Sequence, residues 1–266
     1  MVTQLRSYEK QIGSKIAGRH VLLFLDYDGT LVKFKKRPEF AVPTRRVIRL
    51  LEKLKGNNSV SVTIITGRPL DQIRDMAGVP GINYSASHGQ QMRMADGDTF
   101  EWEKARKAGP LIKRIKSAAE KELHGISGIL IEDKKTSLAV HYRKVGRKDV
   151  PGIKSSVTKL FKKLNSGGIL GMIEGSDVME IRPRGWDKGK AVKMIMKRYR
   201  PSAVIYIGDD TTDEDAFRAL RSNVHAITIW VRNGSKRQTY ACYSLKDPEE
   251  VLGFLDWLSS FCAANT

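Results

Sequence analysis

The run Val21-Leu22-Leu23-Phe24-Leu25, stopped at once by Asp26-Tyr27-Asp28-Gly29-Thr30, most narrows what this chain can fold into. Five apolar residues without polar alternation suit a strand buried on both faces, as in a parallel sheet. Pro43-Thr44 then opens a helical pattern through Val47, Leu50, Leu51 and Leu54 that ends near Gly56. Residues 59–65 are β-rich and end at Thr66-Gly67-Arg68-Pro69, and a helix over 70–76 and a short strand near 82–85 follow. The order β-turn-α-β-turn-α-β predicts an α/β fold with a doubly wound, Rossmann-like parallel sheet.

After about residue 105 the rhythm changes. The pattern predicts a helix over 110–123, strands at 128–132 and 137–142, a helix over 150–164, and strands at 169–173 and 178–181. That order, α-β-β-α-β-β, describes an antiparallel α+β module. From Lys188 the first rhythm resumes, with a helix to about 199, a strand at 203–207, a polar turn and a helix over 213–220. A strand near 226–231 and an amphipathic helix over 248–261 close the pattern. The expectation is a discontinuous α/β core, residues 1–106 and 186–266, with an α+β cap domain, residues 107–185, inserted in it.

Composition excludes more than it assigns. No apolar run approaches the roughly 20 residues of a membrane helix, and the first 18 residues lack the apolar centre of a secretory signal. A cytoplasmic protein without membrane partners is expected. Cys242 and Cys262 are far apart in sequence and form no Cys-x-x-Cys pattern, so neither a zinc site nor a disulfide framework is indicated. The net charge of +18 raises the alternative of a non-catalytic, basic nucleic-acid-binding protein. The Lys and Arg residues are scattered and no RNA-binding aromatic signature accompanies them, so they read as solvated helix faces and no nucleic-acid partner is expected. Nothing in the composition fixes an oligomeric state.

Ligands of parallel α/β sheets bind beyond the carboxyl ends of the strands. The turns at those ends are Asp26-Tyr27-Asp28-Gly29-Thr30, Thr66-Gly67-Arg68, and Gly208-Asp209-Asp210-Thr211-Thr212-Asp213. Alone, the first also reads as a strand-terminating turn, the second as a common turn sequence, and the third as a helix cap with Thr211 or Thr212 at the N-cap. Together, in order and each after a strand, they describe one anionic site. Asp26 and Asp28 are two apart, so extended backbone points both the same way. With Asp209 they make an all-oxygen cluster, which favours Mg²⁺ over zinc or copper. Asp213 and its neighbour Asp210 would orient that cluster or bind the metal directly.

These residues resemble the haloacid dehalogenase-like phosphohydrolases. Their Asp-x-Asp-x-Thr motif matches Asp26 to Thr30, their strand-ending Thr or Ser matches Thr66, their lysine matches Lys188, and Gly-Asp-x-x-x-Asp matches Asp209 and Asp213. The resemblance implies that Asp26 attacks phosphorus, giving an aspartyl-phosphate intermediate, and that Asp28 moves the proton. It implies that Thr66 and Lys188 hold phosphoryl oxygens, with Thr30, Gly67 and Arg68 lining the substrate. Mg²⁺ would sit on Asp26, Asp209 and the backbone carbonyl of Asp28.

The insert between the second and third motifs resembles the cap of the sugar-phosphatase class. Ser87-His88-Gly89, Glu132-Asp133-Lys134, His141-Tyr142-Arg143 and Glu180-Ile181-Arg182-Pro183 are similar to the trehalose-6-phosphate phosphatase family. That likeness implies hydrolysis of trehalose 6-phosphate, with His88, Lys134, Arg143 and Glu180 contacting the sugar. Other sugar phosphates, such as sucrose 6-phosphate or mannosyl-3-phosphoglycerate, are the alternatives. Glu132, Lys134 and Arg143 also read as a plain charge set across the cap strands. The chain departs from the family in having Val32-Lys33-Phe34 where a proline is common after Leu31.

Overall fold

The computed structural model describes residues 3–4, 9–35, 37–175 and 177–265. The chain runs through β1 (Thr3–Gln4), α1 (Glu9–Ile16), β2 (Val21–Leu25), α2 (Arg45–Lys55), β3 (Val60–Ile65), α3 (Leu70–Ala77), β4 (Asn83–Ala86), β5 (Gln91–Arg93) and β6 (Thr99–Glu101). It continues with α4 (Glu103–Glu122), β7 (Leu130–Asp133), β8 (Leu138–His141), α5 (Val150–Leu164), β9 (Leu170–Gly175) and β10 (Val178–Pro183). The last elements are α6 (Lys188–Tyr199), β11 (Ala203–Gly208), α7 (Asp213–Leu220), β12 (Ala226–Val231), β13 (Tyr243–Leu245) and α8 (Pro248–Ala264). Two compact units result, residues 1–100 with 187–266, and residues 101–186.

In the first unit one sheet has the order β1-β13-β12-β11-β2-β3-β4-β5-β6. The strands from β1 to β4 pair in parallel, and β5 turns back antiparallel to β4. Every residue of β2, β11 and β12 is buried, the condition of parallel strands covered on both faces. Strand order reverses at β2, whose neighbours are β3 on one side and β11 on the other. Such a switch point opens a crevice at the carboxyl ends of those strands. Amphipathic helices close the layers: α2 buries Val47, Leu50, Leu51 and Leu54, and Thr44 caps it by accepting from the Val47 amide at 3.4 Å. The fold is thus a doubly wound, Rossmann-like α/β sheet with an α+β unit inserted between β6 and α6.

The inserted unit holds an antiparallel sheet of order β7-β8-β10-β9. Its core joins Ile112 and Ile115 of α4 and Ile153 and Val157 of α5 to Leu138, Val140, Met179 and Ile181 of the sheet. Strand alternation turns the other side chains to the opposite face, where Glu132, Ala139 and Glu180 lie in one cross-strand row.

The elements differ from the sequence expectation in two ways. The helix expected from residue 110 begins at Glu103 and carries Pro110 inside it. A proline there removes one N–H, while Ala105, Ala108, Ile112 and Ile115 keep a continuous buried stripe across it. The strands β1, β5, β6 and β13 and the helix α1 lie outside the expected pattern. Those strands are two or three residues long at or near the sheet margins, too short to show a period. No helix among the described residues is long and apolar enough to cross a membrane.

Candidate active site

The switch point gathers the three polar turns. Asp26 follows β2, Thr66 follows β3 and Asp209 follows β11. The Asp26 amide extends the ladder by donating to the Ile207 carbonyl at 2.9 Å, which sets the register between two of the turns. Lys188 opens α6, whose start is capped by Asp187 accepting from the Lys190 amide at 2.9 Å. A cation at a helix N-terminus meets the unfavourable end of the dipole, and here two carboxylates offset it. The Lys188 ammonium, 2% exposed, donates to Asp26 Oδ1 at 2.6 Å and to Asp213 Oδ1 at 2.7 Å.

Asp213 is fully buried and its oxygens accept four hydrogen bonds: from Lys188 (2.7 Å), Tyr206 Oη (2.6 Å), and the amides of Asp209 (3.0 Å) and Asp210 (2.9 Å). Thr212, at the N-cap of α7, makes no side-chain cap bond, so this turn is organised around Asp213 and not around a helix cap. Asp210 contributes its amide to that organisation. Its carboxylate takes the hydroxyls of Thr211 (3.2 Å) and Thr212 (3.5 Å), outside the acidic cluster. Among the described residues the cluster is Asp26, Asp209 and Asp213, with one carboxylate oxygen of each within 4.8 Å of the others.

The cluster concentrates carboxyl groups in a buried place. Burial pushes the Asp26 carboxyl up to about 7 against the pull of Lys188, with the Asp213 and Asp28 carboxylates adding to the rise. Burial also holds the Asp209 carboxyl well above the usual range, reinforced by Asp26 and Asp213. Burial opposes the Lys188 charge, but Asp213 and Asp26 hold its pKa above the ordinary lysine range. A divalent cation placed among these oxygens would relieve the repulsion, and hard oxygen donors suit Mg²⁺. Asp213 accepts two hydrogen bonds on each oxygen, which uses all the lone pairs of its carboxylate, whereas the Asp209 oxygens accept one each. Asp26 and Asp209 therefore fit the ligand role and Asp213 the orienting one. Gly29, at φ +84°, keeps the room open, because a Cβ there would collide with the Asp209 carboxylate.

Asp28 and Arg68 form a bidentate pair, Nε to Oδ2 at 2.6 Å and a terminal nitrogen to Oδ1 at 2.7 Å. Arg68 also donates to the Pro38 carbonyl at 2.8 Å and lies over the Tyr27 ring. The guanidinium expected to line the substrate is therefore seated on the first motif. Thr30 likewise points its hydroxyl at Asp209 Oδ1, at 3.3 Å. Thr66 Oγ1 accepts from the Arg68 amide at 3.2 Å, and the Thr66 carbonyl accepts from the His88 amide at 2.8 Å. Ser87 and His88 both have left-handed φ, 49° and 56°, a conformation uncommon outside glycine. It brings the His88 ring against Gly67, where a Cβ would stand 2.8 Å from ring atoms.

In the inserted unit Lys134 Nζ lies 3.9 Å from Glu180 Oε2, and Glu180 Oε1 accepts from Ser137 Oγ at 3.0 Å. Glu132 and His141 pair at 2.9 Å. Arg143, expected with Lys134 and Glu180 among the sugar contacts, follows the end of β8. Asp133 pairs with Leu138 and His141 with Val178, so Lys134 and Arg143 lie beyond opposite ends of β8. Arg143 pairs with Asp177 at 3.5 Å.

Sequence reading missed Tyr206, hidden in an apolar strand, and Asn233, Trp230 and Arg237, which touch the Gly29 and Asp209 turns. Asn233 Nδ2 donates to the Gly29 carbonyl at 2.8 Å, and Trp230 Nε1 and Arg237 donate to the Asp209 carbonyl at 3.2 and 2.9 Å. Asn233-Gly234 carries only a turn signal.

Comparison with known proteins agrees on one family. The profile described as trehalose-phosphatase matches residues 24–249. A trehalose-phosphate phosphatase of Mycobacterium marinum is 33% identical over 244 residues, 90% of this chain and 61% of that protein. Trehalose-phosphate phosphatase B of Arabidopsis thaliana is 33% identical over 265 residues, 93% of this chain and 68% of that protein. The chain thus spans about three fifths of the length of its mycobacterial relatives. Among solved structures, a trehalose-6-phosphate phosphatase related protein superimposes with a TM-score of 0.80 at 25% identity, covering 92% of this chain and all of that one. The trehalose-6-phosphate phosphatase of Aspergillus fumigatus gives 0.68 at 27% identity, covering 98% and 99%.

Proposed function

The chain belongs to the trehalose-phosphatase family, and from that premise we propose that it is a Mg²⁺-dependent phosphatase hydrolysing trehalose 6-phosphate through an aspartyl-phosphate. The observation that carries the reading is the buried Lys188 bridging Asp26 and Asp213 beside Asp209. A structural charge cluster gains nothing from three crowded carboxylates and one ammonium at the carboxyl ends of parallel strands. A site that must receive phosphate and a divalent cation requires that excess.

The Asp26 oxygen opposite the one bonded to Lys188 attacks phosphorus, and the phosphorus–oxygen bond to the sugar breaks. Asp28 gives its proton to the departing sugar oxygen. It then takes one from the water that attacks the aspartyl-phosphate, returning Asp26 and releasing phosphate. Lys188 and Thr66 hold phosphoryl oxygens as charge redistributes. Arg68 keeps the Asp28 carboxylate in place, and the pair must loosen when Asp28 carries its proton. Asp26, Asp209 and the Asp28 carbonyl would hold Mg²⁺, which when bound would supply neutralisation of charge between nucleophile and phosphate. Lys134 and Glu180, paired on the inserted unit, carry donors and acceptors of the kind that sugar hydroxyls require.

Phosphate release from trehalose 6-phosphate, sucrose 6-phosphate and mannosyl-3-phosphoglycerate, with Mg²⁺ and with chelator, tests this directly. The expected result is preference for trehalose 6-phosphate, lost with chelator and in Asp26→Asn. Rapid quenching with ³²P-substrate should trap a hydroxylamine-labile label on the wild-type chain. Equal turnover across the panel would overturn the substrate, and activity retained in Asp26→Asn the mechanism.

A further inference from the structure

We infer that Asn233 is a positioning residue that ties the turn after the nucleophile to the acidic turn, fixing Asp209 where a divalent cation requires it. This inference rests on the phosphatase reading above. Asn233 follows β12 with φ +47° and precedes Gly234 at φ +79°, so the chain reverses there and the amide projects back over the sheet end. Nδ2 donates to the Gly29 carbonyl at 2.8 Å and to Asp209 Oδ2 at 3.3 Å. Both neighbours are acceptors only, which assigns the NH₂ end of the amide to them, and its two protons match the two acceptors.

Asp209 is consequently held at every polar atom. Oδ1 takes the Thr30 hydroxyl, Oδ2 takes Asn233, the amide donates to Asp213, and the carbonyl takes Trp230 and Arg237. The last contact is itself braced. Arg237 pairs with Glu214 at 3.3 Å and lies 5.3 Å over the Trp230 ring, and Glu214 accepts from the Tyr240 amide at 2.8 Å. Without these donors Asp209 would turn away from Asp26, because like charges repel at short range. Mg²⁺ demands near-ideal octahedral geometry, so a ligand that strays lowers affinity directly.

The plain alternative is that Asn233 is present because asparagine tolerates a left-handed turn. Glycine serves that need equally and carries no amide, so Asn233→Gly separates the two. Mg²⁺ binding to the full chain would be followed by calorimetry and by melting with and without the ion, alongside Arg237→Met. The expected result is about tenfold weaker Mg²⁺ binding in Asn233→Gly, with the metal-free melting temperature within about 2 °C of wild type. A smaller weakening is expected in Arg237→Met. Unchanged Mg²⁺ affinity in Asn233→Gly, or weaker binding accompanied by an equally lowered metal-free melting temperature, would overturn the inference and leave the phosphatase reading standing. A wild-type chain that neither binds Mg²⁺ nor releases phosphate would overturn that reading and the inference with it.

Discussion

Charged side chains converge twice in this molecule, under opposite conditions. In the core unit Lys188, Asp26 and Asp213 have side chains 2%, 7% and 0% exposed. In the inserted unit Lys134 and Glu180 are 17% and 18% exposed, and His141 and Glu132 are 31% and 24% exposed. Buried ions lose their hydration, and only close geometry and further hydrogen bonds offset that loss. Lys188 and Asp213 meet this condition through contacts of 2.6–2.7 Å. The second set lies on the sheet face opposite the α4–α5 core, at up to 3.9 Å, and is partly exposed. The first arrangement, closely bonded and dry, matches the single geometry that the proposed attack on phosphorus needs. The second, looser and wetter, matches the proposed contact with sugar hydroxyls that exchange for water.

The contrast can be broken by substitution. Asp26→Asn should lower phosphate release by about four orders of magnitude or more, since a nucleophile has no substitute, and a coupled phosphate assay reads this. Lys188→Met should lower the stability of the metal-free protein by about 3–5 kcal/mol, because it leaves buried carboxylates without their counter-charge. Lys134→Met should change stability by less than about 1 kcal/mol. Urea denaturation of the two variants measures the difference, and equal losses would erase the distinction drawn between the sets. Glu180→Gln and Lys134→Met should instead raise KM for trehalose 6-phosphate about tenfold, the size of one charge-assisted hydrogen bond. Arg143→Ala, at the far end of β8, should leave KM within about twofold.

A pH series sharpens the same contrast. The Asp26 carboxyl is raised from 3.8 to about 7 by burial, so the folded metal-free chain holds its proton more tightly than the unfolded chain. Its contribution to stability is full below pH ~4 and is lost as pH rises towards 7. Melting of the chelated protein across that window should show a downward slope with pH that becomes shallower in Asp26→Asn, the remainder coming from the Asp209 carboxyl, which burial also raises.

Legibility followed burial and period. The inner strands were legible because five or six apolar residues in a row have few other solutions, whereas β5 and β13 have three residues each and little pattern. Asp26, Lys188, Asp209 and Asp213 were legible as a set because each follows a strand or opens a helix. Arg68 was legible as part of the site but not as the partner of Asp28. That Lys134 and Arg143 emerge at opposite ends of β8 was not legible, since reading along a hairpin does not say at which end of a strand a side chain emerges.

By itself the sequence determined which residues carry charge at the ends of which strands, because apolar runs and the turns that stop them are local properties. Only the tertiary structure decided which of those charges meet. The bridging of Asp26 and Asp213 by Lys188, separated from them by 162 and 25 residues, depends on strand order and register. The same is true of the Asn233 amide, which reaches Gly29 across 204 residues. The physical reason is that hydrogen bonds act over about 3 Å, and distances that small between remote residues are set by the packing of the whole sheet.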